Sequence, residues 1–336
     1  MTGFRKGLTF SFIAFLAIAA LAITFTIGWR PIIGPRSRAL TNRKFEASPQ
    51  RLARGRYLAN AVSGCIYCHS EHDWKAPGAP VIEGKMGAGQ VFFLNGLPGK
   101  VTVPNITPDS ATGSGTWSDD QLARAIREGI GHDGRTLFPL MPYAHFRTMS
   151  DEDLASVVVY VRSLQPVPNQ LPQTEIVFPV KYLIRNAPQP VTSPVPDAPA
   201  DPLKRGMYLV EISGCSDCHT PQTRGQPIAG LEFAGGFELS GPFGDVTSAN
   251  LTPDPSGISY YDEKTFIDAM RTGKVGARNL NPIMPWIMLR NMTDEDLKAI
   301  FAYLCTLKPV HHRVDNSLPP TACKICRGKH GAGEQN

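Results

Sequence analysis

Residues 65–69 read Cys-Ile-Tyr-Cys-His and residues 215–219 read Cys-Ser-Asp-Cys-His. A CxxCH puts two thiols within one helical turn. Each can form a thioether to a haem vinyl group while the following histidine reaches the iron from the proximal side. Cys65 and Cys68 with His69 make one such set, and Cys215 and Cys218 with His219 make the other. A single copy has a real background rate as a disulfide or as half of a zinc site. Two copies in one repeated frame favour covalent haem, so two haem c groups are expected.

The frame is an internal repeat. RGRYLANAVSGCIYCH at 54–69 is matched by RGMYLVEISGCSDCH at 205–219, and NITPD at 105–109 by NLTPD at 250–254. Met141-Pro142-Tyr143 then returns as Met284-Pro285-Trp286, and SDEDL at 150–154 as TDEDL at 293–297. Four matches in the same order, at offsets of 143 to 151 residues, indicate a duplication.

The sixth iron ligand follows by exclusion. The second copy has no histidine between His219 and His311, so a six-coordinate iron served by its own domain would take methionine. Met270 falls in a helical apolar stripe, and Met288 and Met292 have no counterpart before a proline in the first copy. Met284 remains, aligned with Met141. The same alignment prefers Met141 to His132 and His145, which the second copy does not mirror. His/Met ligation raises the reduction potential by favouring the ferrous state, and two saturated irons suit electron relay.

The elements that must position these groups repeat too. Each copy reads as a helix delivering CxxCH (Arg54 to Gly64; Arg205 to Gly214), a long loop, a middle helix, a methionine loop and a last helix. The middle helix starts near Ser118 with Leu122 and Ile126 on one face, matched by Asp262, Phe266 and Met270. Leu154, Val157, Val158, Val161 and Leu164 give the last helix its apolar face, matched by Leu297, Ile300, Phe301, Leu304 and Leu307. SDEDL and TDEDL read as solvated helix starts, with Asp153 and Asp296 where a capping-box acid sits. Residues 165–202 hold ten of the thirty prolines, as an extended linker wrapped over the surface would.

Charge is unevenly spread. Residues 1–60 hold ten Lys or Arg against Glu46 alone, a net +9; the chain's total of +5 leaves −4 for the remainder. The body is mildly acidic, which argues against nucleic acid as a partner. From Leu8 to Trp29 the chain is uncharged and, as a helix, about 33 Å long, enough for one bilayer core. It reads as a retained anchor; a cleaved signal peptide is the rival, since Ala17-Ile18-Ala19 and Ala20-Leu21-Ala22 offer small-x-small sites. The flank after the helix (Arg30, Arg36, Arg38, Arg43, Lys44) is more basic than Arg5 and Lys6 before it, against the positive-inside rule. Haem c is attached outside the cytoplasmic membrane, so a single-pass topology with the haem domains on the periplasmic side is expected.

In these motifs, and in GTWSDDQLARAIREG (115–129), GRTLFPLMPY (134–143) and MSDEDLASVVVYVRSL (149–164), the chain resembles the class I cytochrome c fold in tandem. More narrowly, it resembles the cytochrome c subunits of membrane-bound quinoprotein and flavoprotein dehydrogenases. The resemblance spans residues 52–310. It implies a mainly α architecture of two class I cytochrome c domains behind an N-terminal transmembrane helix. The expected divisions are an anchor or signal-anchor (1–30), a basic juxtamembrane segment (31–50), domain 1 (51–165), a proline-rich linker (166–202), domain 2 (203–310) and a tail carrying CxxC (311–336). It also implies Asn105 or Asn250 and Trp117 or Tyr261 near the haem edge or propionates, against plain turn and core roles.

Electron transfer in a respiratory chain is the function implied. The chain would work between a dehydrogenase or quinol-oxidising complex and a downstream acceptor such as a terminal oxidase, or as the electron-accepting subunit of one dehydrogenase. A dihaem peroxidase would need a vacant distal position, which Met141 and Met284 would fill.

The sequence departs from that family in three ways. A third CxxCH is missing. Pro221 follows the second histidine and could orient it through a carbonyl, whereas domain 1 has Ser70-Glu71-His72. Residues 323–330 read CKICRGKH, with Arg327 where a ligand histidine would stand. A Cys323–Cys326 disulfide or inert tail is the expectation there, against a metal or redox pair assisted by His330. Cys305 reads as a buried small hydrophobe of the last helix.

Overall fold

A computed structural model describes residues 2–336, with side chains from Leu8 onward. The first helix, α1 (Thr2–Phe25), contains an 18-residue stretch, Leu8–Phe25, of mean hydropathy 2.4, none of it buried against the rest of the chain. By length and composition it could cross a membrane. The side chains of Arg5 and Lys6, on which the orientation argument partly rests, lie outside the described residues.

After a short turn the chain runs without regular structure from Gly34 to Ser48 along domain 1. Arg38 pairs with Asp120 (2.7 Å) and Glu128 (2.7 Å), and the amides of Thr41 and Phe45 donate to Asp120 and Asp119. Part of the basic flank that conflicted with the positive-inside rule is therefore neutralised by the acids of one helix.

Domain 1 contains α2 (Pro49–Tyr57), α3 (Asp119–Glu128) and α4 (Asp151–Arg162); domain 2 contains α5 (Pro202–Ile212), α6 (Glu263–Thr272) and α7 (Asp294–Leu304). Both leading helices begin earlier than their motif because a cap and a proline start them. Ser48 accepts from the Arg51 amide ahead of Pro49, and Asp201 from the Lys204 amide ahead of Pro202. The middle helices start as expected: Ser118 and Gln121 close a capping box, and Asp262 accepts from the Thr265 amide at 2.7 Å.

In each domain the leading helix crosses the last one at a glycine. A Cβ on Gly55 would lie 1.9 Å from the Ser156 carbonyl oxygen, and one on Gly206 would lie 1.9 Å from that of Ala299. The RGxY motif therefore marks the crossing, since only glycine allows two backbones so close.

The last helices correct one reading of the sequence. Ser150 and Thr293 do cap them, but Asp153 and Asp296 are buried and do not return to the cap. Asp153 receives Arg54 and Asp296 receives Arg205, because the helix crossing brings each arginine over the carboxylate and excludes water there. The same acids join the domains. Tyr57 of domain 1 donates to Asp296 (2.5 Å), and Tyr208 of domain 2 donates to Asp153 (2.7 Å). The duplicated halves thus meet through a reciprocal contact, and one apolar cluster runs through both.

The segment after α4 runs back along domain 1. Glu175–Ile176 pairs antiparallel with Gly99–Lys100, and Val167 offers its carbonyl to Asn105. Two-stranded ladders are the only sheets among the described residues, so the architecture is mainly α.

Candidate functional site

Each CxxCH forms a single helical turn entered through a left-handed glycine. Gly64 (φ 64°) precedes Cys65–Cys68, and Gly214 (φ 66°) precedes Cys215–His219. All four thiols are unpaired. Cys65, Cys68 and Cys215 pack against the same apolar cluster as Met141 and Met284, while Cys218 is exposed. Burial pushes the Cys65 and Cys215 thiols up to about 12, so they are not reactive thiolates of the redox-enzyme kind.

The two motif histidines are held alike. His69 Nδ1 lies 2.7 Å from the Pro104 carbonyl oxygen and His219 Nδ1 lies 2.7 Å from that of Ala249. A carbonyl only accepts, so Nδ1 carries the proton and Nε2 presents its lone pair, the tautomer an iron ligand needs. Burial holds His69 neutral, lowering it to about 4, and lowers His219 as well. The donor set and tautomers fit haem c.

This geometry corrects the role suggested for Pro221. The orienting carbonyl comes from the residue before Asn105 or Asn250, in both domains alike, so domain 1 lacks nothing. The N-x-T-P-D motif shapes the loop that presents it. Asn105 accepts from the Thr107 amide and hydroxyl and donates to Thr112 and Val167; Asn250 does the same with Thr252, Ser256 and Val310. Both asparagines are buried, and their carboxamides organise the turn. Trp117 packs tilted against His132 with ring centroids 4.4 Å apart, and Tyr261 packs against Tyr260 and accepts from Arg278.

The methionine loops are superimposable in their hydrogen bonding. The amide two residues after Met141 returns to its carbonyl (Tyr143, 2.8 Å), as the Trp286 amide does to Met284 (2.7 Å). Pro142 (φ −80°, ψ 47°) and Pro285 (φ −78°, ψ 49°) share one conformation. The ring that follows each proline lies on the glycine ending the middle helix. A Cβ on Gly129 would meet Tyr143 at 2.6 Å, and one on Gly273 would meet Trp286 at 2.4 Å. Met270, Met288 and Met292 are core residues, and His132 and His145 are occupied elsewhere.

The two sites also interlock. Tyr67, inside the first CxxCH, donates to the carbonyl of Pro282, two residues before Met284 (3.1 Å). Asp217, inside the second, binds His145, four residues after Met141 (2.7 Å). Burial raises the Tyr67 hydroxyl above its ordinary value, so it stays a donor to the Pro282 carbonyl.

The cytochrome c family model matches residues 52–165 and again 203–308. The chain belongs to the cytochrome c family. It is a tandem member with two haem c groups. It is 29% identical over 305 residues to the fructose dehydrogenase cytochrome subunit of Gluconobacter japonicus, covering 86% of this chain and 59% of that protein. It is 32% identical over 284 residues to the gluconate 2-dehydrogenase cytochrome c subunit of Pantoea cypripedii (78% and 60%). With a dihaem c-type cytochrome of Cereibacter sphaeroides it shares 27% identity over 252 residues (72% and 81%). The chain thus spans about three fifths of the length of the first two curated relatives.

Two further expectations of the sequence fail in this tandem cytochrome. Cys305 is exposed, because α7 ends at Leu304 and its apolar face turns away there. Cys323 and Cys326 are buried and unpaired rather than bridged or part of an inert tail. His312 escaped notice altogether: nothing in its local sequence separates it from His311, which is mostly exposed.

Proposed function

We propose that this protein relays electrons from a membrane-bound dehydrogenase through two His/Met-ligated haems, His69 with Met141 and His219 with Met284. The observation that carries the reading is the interlock of the sites: each attachment segment touches the methionine loop of the other domain. Bound haem supplies a one-electron couple, with a potential that a thioether ligand raises. The chain's own residues fix the imidazole tautomers, hold the thioether loops on their glycines and exclude water from the region between the domains. A pair of similar high-potential centres in two interlocked domains suits transfer rather than substrate chemistry.

In this reading α1 anchors the protein in the cytoplasmic membrane and the haem domains face the periplasm. The dehydrogenase partner is supported by relatives named as cytochrome subunits of fructose and gluconate dehydrogenases. A freely acting dihaem carrier is the second reading, favoured by the Cereibacter relative of similar extent. Purification from membranes in mild detergent separates them. Stoichiometric co-purification of a dehydrogenase that reduces both haems on substrate addition supports the first, and recovery of the cytochrome alone supports the second. Carbon monoxide binding by the native reduced protein would sink the six-coordinate assignment in either case.

A further inference from the structure

Beyond the second family match, the chain folds back on domain 2 and brings together four ligand-type side chains from outside both haem sites. His312, Cys323, Cys326 and His330 are 0%, 4%, 5% and 1% exposed, and their ligand atoms all lie within 4.8 Å of one another. We infer that these four residues bind a zinc ion.

Two of the separations already match the edges of a tetrahedron around a metal. His312 Nε2 lies 3.2 Å from His330 Nε2, and Cys323 Sγ lies 3.4 Å from His312 Nε2. Metal–ligand bonds of about 2.0 Å to nitrogen and 2.3 Å to sulfur give tetrahedral edges of about 3.3 to 3.8 Å. The tautomers point the same way. His312 Nδ1 donates to the Ala234 carbonyl (2.9 Å) and His330 Nδ1 faces that of Gly331 (3.0 Å). Both Nε2 atoms therefore turn their lone pairs toward one point. Two lone pairs facing each other across 3.2 Å in a buried site repel unless a cation lies between them. Two thiolates and a divalent cation sum to zero charge, which suits a site closed to water.

The chain holds the cysteines in a tight turn between the strands Pro320–Ala322 and Lys329–Gly331. The Cys323 amide donates to Gly328, the Arg327 amide donates back to Cys323, and Arg327 takes a left-handed conformation (φ 63°). Two sulfurs three residues apart with two imidazoles make a closed Cys2His2 set, which is structural zinc chemistry.

The position of His312 has a structural equivalent in domain 1. Asn169 in domain 1 donates to the Ala88 carbonyl at 2.8 Å, and His312 makes the equivalent bond to Ala234. Two residues before each, Val167 and Val310 accept from Asn105 and Asn250. His312 thus replaces a strap asparagine and adds a ligand, while the C-terminal hairpin supplies three more. The Gly235 amide, next to Ala234, donates to the His219 carbonyl (2.8 Å), so the metal would brace the loop behind the second haem.

The test is elemental analysis of the full haem-loaded protein, purified without added metal and dialysed against chelator-treated buffer. About one zinc per two haem irons is expected, with zinc-edge absorption giving two sulfur and two nitrogen neighbours. The Cys323→Ser/Cys326→Ser variant should keep both haems and lose the zinc. If that variant does not fold, mercurial titration of the native protein should release about one zinc to a colorimetric chelator. Zinc well below stoichiometric, a Cys323–Cys326 disulfide found by mass spectrometry of unreduced protein, or copper or non-haem iron in place of zinc overturns the assignment.

Discussion

The Tyr57 hydroxyl donates to Asp296 Oδ2 across the domain boundary at 2.5 Å, and the duplication repeats the bond in reverse from Tyr208 to Asp153. Each carboxylate also receives an arginine of its own domain. Burial, with the carboxylate beside it, pushes Tyr57 up to about 12, so it remains a donor through the physiological range. Removing either hydroxyl leaves a buried carboxylate short of a partner. Tyr57→Phe and Tyr208→Phe should each destabilise by about 1.5–3 kcal/mol with an unchanged denaturant slope. Loss below about 0.5 kcal/mol in both would mean the pair does not carry the interface.

Gly206 sits inside α5, where alanine would ordinarily favour the helix by about 1 kcal/mol. Its missing side chain is what lets α5 approach α7, since a Cβ there meets the Ala299 carbonyl. Gly206→Ala should therefore lower the thermal midpoint despite the gain in propensity, with a net cost of about 1–3 kcal/mol from overpacking. A calorimetric midpoint equal to or above that of the parent would show that the helices do not cross at this residue.

His145 joins the methionine loop of domain 1 to Asp217 and Glu211 of domain 2, at 2.7 and 2.9 Å. The hydrogen bond to Asp217 and then that to Glu211 raise it to about 10 from an ordinary 6.5. A folded-state value above the unfolded one stabilises fully below about pH 6.5, and that stability disappears as pH rises through about 10. Both carboxylates are about half exposed, so screening limits the effect to about 1 kcal/mol. Denaturation of the parent and His145→Gln at pH 6 and pH 10.5 should show a gap that closes at the higher pH. A gap independent of pH would assign His145 a packing role only.

The two CxxCH motifs and the matched methionine loops were legible in the sequence because covalent attachment demands a fixed spacing and the duplication repeats the Met-Pro turn. The middle helices were legible through Ser118 and Asp262, whose caps are local. Contacts made across long separations were not. Asp153 and Asp296 read as solvated because helix-start acids usually are; only the crossing at Gly55 and Gly206, with the opposing tyrosines, buries them. The C-terminal cluster was hidden for the same reason: His312 and Cys323 meet through a hairpin, and no periodicity marks which of two adjacent histidines turns inward. Pro221 drew attention by adjacency, while the carbonyl that orients His219 comes from Ala249, thirty residues on.

The sharpest test of the ligand set uses the two methionine loops against each other. Met141 and Met284 occupy the same turn in each copy, so Met284→Leu and Met141→Leu should each remove about half of the sulfur-to-iron charge-transfer band of the oxidised protein. Each should lower one reduction potential, on the order of 0.1 V or more, and leave the other within a smaller shift. Gly273→Ala provides a variant that spares the sulfur: a Cβ at Gly273 collides with the Trp286 ring, two residues beyond Met284. It should weaken the same half of the band as Met284→Leu by displacing the loop. Spectroelectrochemical titration of the three proteins decides the matter. Equal shifts of both haems in either leucine variant would break the domain-by-domain assignment. A full band in Met284→Leu would remove Met284 from the iron.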